Sequence, residues 1–280
     1  MASYVDLHVH SNCSDGSDAP ESVVRRAAAV GLAAIAITDH DTVAGVEEGA
    51  RAAREHEIEF MPGVEISASY GRAEVHIVGL GIDVGQPALV EALKALQQAR
   101  RARIDLMVER LNRAGIHIGR AEIEAHAGGK ALGRLHVARA LWKRGVTRTV
   151  QEGFDKYLKA GRKAYVPNMT LPCRKAIELI HEAGGLAIVA HPGVGPTTRK
   201  LLPRLLQLPF DGIEIYHTKH TPGQITEFTH IALERDLLIS GGSDCHGGAL
   251  AQEPDLGKVR VPYHHFQVLL DALRRRLILR

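Results

Sequence analysis

Apolar runs of strand length alternate with amphipathic segments at the start of the chain. Small apolar side chains recur at helical spacing within residues 20–31 and 46–56, and Gly31 ends the first of these segments. Strands and helices in alternation are typical of a parallel sheet covered by helices. The predicted strands of this part are residues 3–7, 34–38, 58–61 with 64–67, and 74–80.

The pattern changes after Pro87. Apolar residues recur every three or four positions from 88 to 113, and further helical pieces follow. No buried strand is predicted before Leu186. We therefore interpret residues 97–169 as a helical insertion within a larger domain.

Strand signals then resume in the last third of the chain. The predicted strands are residues 186–190, 212–216 and 237–240, and a closing helix is predicted at 266–277. Seven strands with helices between them predict an α/β fold of the (β/α)7 barrel type. The barrel domain would comprise residues 1–96 and 170–280.

Histidines and carboxylates recur within these apolar runs or directly after them. His8 and His10 are two residues apart at the end of a strand, so their side chains point the same way. Because a barrel gathers its strand ends at one face, we expect all these side chains to meet. The candidate metal ligands are His8, His10, Asp15, His40, Glu65, His76, His191, Asp244 and His246.

Nine ligands are too many for one ion, because a tetrahedral zinc site takes four. They suit two or three divalent ions that share a bridging carboxylate and a bridging water. Mixed imidazole and carboxylate ligands favour Mn, with Fe or Zn as alternatives. Two ions ~3.5–4 Å apart can hold the attacking and leaving oxygens of a phosphate ester. The ligand set therefore predicts phosphoester hydrolysis.

The charge distribution indicates where an anionic substrate would bind. Residues 97–170 carry 16 Lys and Arg against 6 Asp and Glu, whereas the rest carries 19 against 26. A basic insertion suits an anionic substrate. A solvated basic helix face is the alternative, and we assign Arg100, Arg101 and Arg103 to such a face.

Composition excludes several classes of protein. Aromatic residues make up 4% of the chain, which argues against a stacking platform for nucleic acid. No apolar run is long enough to span a bilayer, and three cysteines form no disulfide framework. We expect a cytoplasmic protein without membrane contact, and nothing indicates an obligate protein partner.

The motifs that carry these ligands resemble those of the PHP (polymerase and histidinol phosphatase) family. The resemblance covers nearly the whole chain and implies a distorted (β/α)7 barrel with a trinuclear metal centre. Glu65 would bridge two of the ions. The motifs are DLHVHS at 6–11 with SDG at 14–16, TDHD at 38–41, GVE at 63–65, HIVG at 76–79, AHP at 190–192 and GSDCHG at 242–247.

The resemblance also implies how the ligands divide among the three ions. His8, His10, Glu65 and Asp244 would hold the first ion. His76 and His191 would hold the second with Glu65, and Asp15, His40 and His246 would hold the third. A metal-bridging hydroxide held by Glu65 and Asp244 would be the nucleophile.

Two sequence motifs of the insertion resemble motifs found in one subgroup of the family. RLHVAR at 134–139 and GRKAYVP at 161–167 are similar to phrases of 3′,5′-nucleotide bisphosphate phosphatases and of related 5′→3′ exoribonucleases. The resemblance implies a substrate with two phosphates, one on the metals and one held by the insertion. His220 would donate a proton or bind phosphate. The implied substrate-binding residues are Arg134, His136, Arg162, Lys163, His217 and His220.

The leading hypothesis is therefore a metal-dependent phosphohydrolase that removes the 3′-phosphate from 3′,5′-bisphosphonucleotides such as pAp. The alternative is a 5′→3′ exoribonuclease on short 5′-phosphorylated RNA, because pAp resembles the 5′ end of an RNA. A histidinol-phosphate phosphatase, an amidohydrolase related to deaminases and a non-catalytic PHP module rank lower.

Overall fold

The computed structural model describes residues 3–125, 132–248 and 255–278. Within these ranges the chain forms nine strands, ten α-helices and one turn of π-helix at Phe154–Leu158. The strands are β1 (Tyr4–Val9), β2 (Leu32–Ile37), β3 (Glu59–Tyr70), β4 (Ala73–Leu80), β5 (Leu171–Pro172), β6 (Leu186–Val189), β7 (Gly212–His217), β8 (Leu238–Gly242) and β9 (Val261–Pro262). The helices are α1 (Pro20–Ala29), α2 (Val46–Glu55), α3 (Pro87–Arg113), α4 (Arg120–Glu124), α5 (Arg134–Lys143), α6 (Val150–Gly153), α7 (Cys173–Glu182), α8 (Pro196–Leu205), α9 (Pro222–Glu234) and α10 (Tyr263–Ile278).

The strands form one sheet that closes almost completely into a barrel. Its order is β8-β7-β6-β4-β3-β2-β1-β9, with β5 paired to β3. The segment after β8 returns to β1, where the amide of Asp244 donates to the carbonyl of His8 at 2.9 Å and the amide of His10 donates to the carbonyl of Cys245 at 3.0 Å. Gly242 permits this approach, because a Cβ there would lie 2.4 Å from Cβ of His8. The predicted α/β barrel is confirmed.

The expectation of a parallel sheet is wrong for two strands, because the short β9 pairs antiparallel with β1 and β4 is reversed as well. β4 runs antiparallel to both β3 and β6. β3 and β4 form a hairpin whose turn contains Gly71 at φ +62°. The first residues of β4 therefore lie at the barrel end where the parallel strands finish. This direction brings His76, the fourth residue of β4, to the same end as the other predicted ligands.

Alternate residues of the buried strands enter different apolar layers. In β2, Ala34 and Ala36 pack with Leu7 of β1 and Leu80 of β4. The intervening residues Ile35 and Ile37 pack in a second cluster with residues of α1 and α2. This alternation follows from the two-residue repeat of a strand. Because both faces are buried, these strands are continuously apolar in sequence.

Helix α3 connects the barrel with the helices that follow. Leu89, Leu93 and Leu96 in its first half pack against the barrel, whereas Ile104 and Met107 belong to a separate apolar cluster. That cluster also contains residues of α4 and α5. The predicted insertion at 97–169 thus begins inside a continuous helix, and its boundaries stay a prediction. Among the described helices, none has the length and apolar character needed to cross a membrane.

Candidate metal centre

The nine predicted ligands gather at one end of the barrel. His8 lies in β1 and His10 directly after it, and their ring centroids are 5.2 Å apart. Nε2 of His10 is 3.1 Å from Oδ1 of Asp244 and 3.3 Å from Oε2 of Glu65. Ligand atoms of His8, His10, Glu65 and Asp244 all lie within 4.8 Å of one another. These four residues could hold one ion.

Glu65 lies at the middle of the cluster. Its Oε1 is 3.0 Å from Nδ1 of His76 and 3.0 Å from Nε2 of His191, and those two nitrogens are 3.4 Å apart. Its Oε2 is 2.9 Å from Nδ1 of His40. Each carboxylate oxygen of Glu65 thus faces a different group of imidazoles, which is the geometry of a bridging ligand.

A third group lies beside the first. Oδ1 of Asp15 is 3.2 Å from Nε2 of His246, and its Oδ2 is 3.9 Å from Nε2 of His40. Ligand atoms of His10, Asp15, His40 and His246 lie within 4.8 Å of one another. The loop after β1 delivers Asp15, and the segment after β8 delivers His246. The structure therefore brings all nine residues together in three overlapping groups.

The chemistry of the donor atoms fits cations. Several nitrogens and oxygens of the cluster are buried and have no hydrogen-bond partner among the described residues, including Nε2 of His8, both ring nitrogens of His10, Nδ1 of His40 and Oε2 of Glu65. These atoms lie close together but are not aligned as donors and acceptors. Buried polar atoms are normally satisfied, so this pattern fits ligands arranged around metal ions.

The acidic ligands favour their charged form. Burial alone would raise the pKa of Glu65, but His40, His76 and His8 lower it well below its usual range. Asp244 is buried too, yet hydrogen bonds with His10 and His217 lower its pKa strongly. Anionic carboxylates beside imidazoles form a donor set of the kind that binds Mn, Fe or Zn.

Glu214 is a contributor that the sequence analysis missed. This buried carboxylate of β7 lies 3.1 Å from Nδ1 of His8 through Oε1, and its Oε2 accepts the amide of His191 at 2.6 Å. A carboxylate on the far nitrogen of a ligand histidine orients the ring and increases its basicity. The available signal was an acidic residue inside the otherwise apolar strand GIEIYH.

Arg100 and Arg103 do not form the predicted solvated face. Nε of Arg100 is 2.6 Å from Oδ2 of Asp41, and its Nη2 donates to Oγ of Ser67 at 2.7 Å. Arg103 is buried and donates to the carbonyl of Val166 at 2.9 Å. Arg100 therefore faces the barrel end, whereas Arg103 faces the segment that leads back from the insertion to the barrel. Only Arg101 of this predicted face is exposed.

Strained backbone occurs at the same end of the barrel. Asp41, His191 and Asp244 have positive φ values of 52°, 25° and 55°. Such conformations cost about 1–3 kcal/mol each for residues other than glycine and persist where the surroundings fix them. Here the amide of Asp41 donates to the carbonyl of Glu65 at 2.8 Å, and Glu214 holds the amide of His191.

Helix α5 of the insertion begins beside the metal centre. A Cβ on its N-cap residue Gly133 would lie 3.9 Å from Oδ2 of Asp15. Arg134 is half-buried, and its charge acts on Glu74 and Arg103. His136 is buried, and burial lowers its pKa to about 4. Both predicted substrate-binding residues of α5 therefore lie near the cluster.

The other two predicted residues of the insertion lie elsewhere. Arg162 and Lys163 are exposed, and no described contact joins them to the histidine cluster. Arg162 acts on Asp155, and Lys163 lines an open surface cavity of about 370 Å³ with Arg110 and Arg113. The structure thus does not bring Arg162 and Lys163 to the candidate metal centre.

Of the two histidines predicted to bind substrate after β7, His217 rather than His220 faces the ligand cluster. Nε2 of His217 is 3.6 Å from Oδ2 of Asp244, and its Nδ1 accepts the amide of Lys219 at 3.1 Å. His220 donates from Nδ1 to the carbonyl of Ile215 at 2.7 Å and accepts the amide of Gly193 at Nε2. His220 thus has no free proton to give, and His217 faces the cluster instead.

Comparison with known proteins identifies the family. The PHP domain profile matches residues 6–165. A 3′,5′-nucleoside bisphosphate phosphatase of Chromobacterium violaceum is 39% identical over 248 residues, covering 86% of this chain and 87% of that protein. The 5′-3′ exoribonuclease Rnm of Salmonella typhimurium is 38% identical over 251 residues, covering 86% of this chain and 84% of that protein.

Solved structures agree with this assignment. A Bifidobacterium adolescentis protein assigned as a metal-dependent phosphoesterase superposes with a TM-score of 0.86 at 29% identity, over 96% of both chains. An amidohydrolase of Chromobacterium violaceum, solved with bound sulfate and no metal, superposes with a TM-score of 0.83 at 35% identity, over 98% of this chain and 97% of that chain. The predicted enzyme class, a metal-dependent phosphoester hydrolase, is confirmed. The chain belongs to the PHP family.

Proposed function

We propose that this enzyme removes the 3′-phosphate from 3′,5′-bisphosphonucleotides such as pAp, giving AMP and phosphate. The observation that carries the proposal is the position of α5, which sets Arg134 and His136 beside a ligand cluster suited to metal ions. One phosphate would lie on the metals and the other against the insertion. The relative from Chromobacterium violaceum, named for this activity, supports the proposal.

We propose two or three divalent ions, with Mn²⁺ first and Fe²⁺ or Zn²⁺ as alternatives. The bridging position of Glu65 and the three overlapping ligand groups support this number. When bound, such ions supply charge neutralisation for the transferring phosphoryl group and an activated water. The nine intact ligands support an enzyme over a non-catalytic module.

The chain's own residues contribute orientation and hydrogen bonding. Glu214 fixes the ring of His8 and the amide of His191, so two ligands are held by one carboxylate. His217 accepts the amide of Lys219 at Nδ1, which leaves the proton on Nε2 at the edge of the cluster. That N–H would donate to a phosphate oxygen and hold the substrate against the metals.

The second candidate is a 5′→3′ exoribonuclease that acts on short 5′-phosphorylated RNA. Relatives of that name from Salmonella typhimurium and Escherichia coli are 38% and 36% identical to this chain. The same arrangement serves both reactions, because the 5′ nucleotide of an RNA also has two phosphates on one ribose. In both reactions water replaces the 3′-oxygen of the first nucleotide on phosphorus. The two functions differ in what the attacked phosphate carries: nothing further in pAp, which gives inorganic phosphate, and the next nucleotide in RNA, which leaves with a new 5′-phosphate.

Product analysis separates the two candidates. Mn-loaded enzyme is given pAp in one reaction and a 5′-phosphorylated RNA of a few nucleotides in another. Rapid release of phosphate and AMP from pAp, with little product from RNA, is the result we expect. Stepwise release of mononucleotides from RNA at equal or higher efficiency would favour the exoribonuclease. Turnover of neither substrate would contradict both.

A further inference from the structure

Asp39 is a buried carboxylate that belongs to none of the three ligand groups. Only 1% of its surface is exposed, and it forms no ion pair in the part of the chain that the structure describes. Its Oδ1 accepts the amide of Ser11 at 2.7 Å and the hydroxyl of Ser14 at 2.5 Å. Its Oδ2 accepts the hydroxyl of Ser11 at 2.5 Å. A buried carboxylate is tolerated when hydrogen bonds to its charge replace those to water, so these bonds should be strong.

Ser11, Ser14 and Asp39, which we call the Asp39 network, are direct sequence neighbours of ligands in the third group. The neighbouring ligands are His10 before Ser11, Asp15 after Ser14 and His40 after Asp39. Ser11 and Ser14 lie in the loop after β1, whereas Asp39 lies in the segment after β2. The network therefore sets the position of the two segments that carry these ligands.

The fourth ligand of that group is held by the same loop. The amide of Ser17 donates to the carbonyl of His246 at 2.9 Å. The loop itself is closed by the amide of Asn12, which donates to the carbonyl of Asp18 at 2.8 Å. All four ligands of the third group thus depend on where this loop lies against Asp39.

The network is tightly enclosed where it contacts α2. A Cβ on Gly45, the N-cap residue of this helix, would lie 2.8 Å from Oδ2 of Asp39 and 3.0 Å from Oγ of Ser11. The Oγ of Ser11 also accepts the amide of Cys13 at 3.1 Å, so its own proton is directed to Asp39. Because these hydrogen bonds support one another and the contact is close, the loop has a well-defined position.

A different carboxylate orients the other ligands. Glu214 contacts His8 and accepts the amide of His191, and neither histidine belongs to the third group. Asp15 belongs to the third group alone among the groups that the described residues form. A change in the Asp39 network should therefore affect mainly the third ion, while the first group keeps its ligands.

We propose that Asp39 is a positioning residue, which through Ser11 and Ser14 prearranges the third ligand group and thereby sets the affinity for a third ion. The proposal rests on the metal-dependent function proposed above and deepens it, because it assigns the third ion its own support. Ligands that are already in place lose little conformational freedom when an ion arrives, so prearrangement raises affinity. No residue of the network needs to contact the ion.

Calorimetry with Mn²⁺ on metal-free protein tests this without substrate. The variants are Ser14→Ala, Asp39→Asn and the control Ser17→Ala, whose hydroxyl lies in the same loop but donates to Asp18 at 3.1 Å. Loss of a group that orients metal ligands typically costs about 10–100-fold in affinity. We expect the Kd of the third ion to rise about 10-fold in Ser14→Ala and about 100-fold in Asp39→Asn, with the other ions unchanged. Ser17→Ala should match wild type.

Gly45→Ala covers the case in which Asp39→Asn fails to fold, which a melting curve would reveal. The backbone of Gly45 has a φ of −85°, so alanine fits this conformation and its methyl group, rather than the backbone, would disturb the network. We expect a weaker third ion here too. Equal weakening of all ions in these variants, or a lower melting temperature with an unchanged third ion, would overturn the proposal, because the network would then serve the fold alone.

The same calorimetry separates this proposal from the proposed function. A wild type that binds three ions, with the third weakened in Ser14→Ala, supports the positioning role even if pAp is not turned over, a result that would contradict the proposed function. A wild type that binds two ions, with Ser14→Ala identical to it, would overturn the positioning role and leave pAp turnover to two ions.

Discussion

Nε of Arg100 lies 2.6 Å from Oδ2 of Asp41, the residue that follows the candidate ligand His40. Asp41 is fully buried, and its other oxygen accepts the amide of Ser67 at 2.7 Å. Gln97 donates to the carbonyls of His40 and Asp41 at 3.1 Å each. Helix α3 therefore fixes the loop that presents His40, and the insertion is attached to the metal centre.

Replacing Arg100 should weaken both the fold and the metal centre. Arg100→Met leaves the buried carboxylate of Asp41 without its cation, which should reduce the free energy of unfolding by about 3–5 kcal/mol. The loop with His40 should also loosen, so metal content after dialysis should fall. Denaturant unfolding and metal analysis check this. Arg101→Met is the matched control, because Arg101 is exposed one residue away; equal effects in both variants would contradict the role of Arg100.

Neutralising Glu214 should reduce metal affinity without removing a ligand. Gln at this position would offer an amide N–H to Nδ1 of His8 where a carboxylate now accepts its proton. Removal of such an outer carboxylate typically costs about 10–100-fold in metal affinity or activity. We expect a loss of that size in Mn²⁺ titrations of Glu214→Gln. The exposed Glu227→Gln is the control, and unchanged Mn²⁺ affinity in Glu214→Gln would refute the assignment.

Gly242 should not tolerate a side chain. A Cβ there would lie 2.4 Å from both Cβ and the amide nitrogen of His8, so Gly242→Ala must displace β1 at a ligand. We expect a stability loss of about 1–3 kcal/mol, as for overpacking, together with a lower metal content. Gly223→Ala is a suitable control, because a Cβ there contacts nothing closer than 4.0 Å. A Gly242→Ala protein with wild-type melting temperature would show that the barrel closure is looser than described.

Asp211 should stabilise the fold in a pH-dependent manner. Burial alone would raise the pKa of this carboxyl, but His181, the amide of Ala187 and Arg276 lower it below 3.8. A lowered pKa in the folded state means that the stabilisation is complete above the unfolded value of 3.8 and disappears as the pH falls through the folded pKa. Asp211→Asn should thus lower the melting temperature at pH 7, and the difference from wild type should shrink toward pH 3.

The control for Asp211 is Asp271→Asn, whose ion pair with Arg274 is exposed. Exposed pairs contribute little, so its melting temperature should stay near wild type at both pH values. If the melting temperature of Asp211→Asn lies as far below that of wild type at pH 3 as at pH 7, the carboxylate charge is not the source of the stabilisation.

The strands and the candidate ligands were predictable because their signals are local. Apolar runs predicted all seven main strands, and the spacing of His8 and His10 predicted that both rings face one site. Strand direction is not encoded in periodicity, so the antiparallel course of β4 was missed. It did not misplace His76, because the reversed strand begins where its neighbours end.

The contacts between the candidate ligands' neighbours and the surrounding residues could not be predicted, because they join residues far apart in sequence. Arg100 is one of several arginines on α3, and only the packing of that helix distinguishes it from the exposed Arg101. The sequence favoured His220 over His217 as the possible proton donor, and no local signal shows which of the two rings faces the ligand cluster. The hydrogen bond of Gly193 to His220 decides between them, and it depends on how the segments after β6 and β7 meet.

The measurement that tests the central claim most directly is metal content and pAp turnover on the same samples of wild type and Asp244→Ala. Asp244 lies 3.1 Å from His10 and 3.7 Å from His246, so its removal takes one ligand from the first group and a close neighbour from His246 of the third group. We predict at least two ions per chain and rapid turnover in wild type, with loss of both in the variant. Full turnover by Asp244→Ala, or by wild type stripped of metal, would contradict the account.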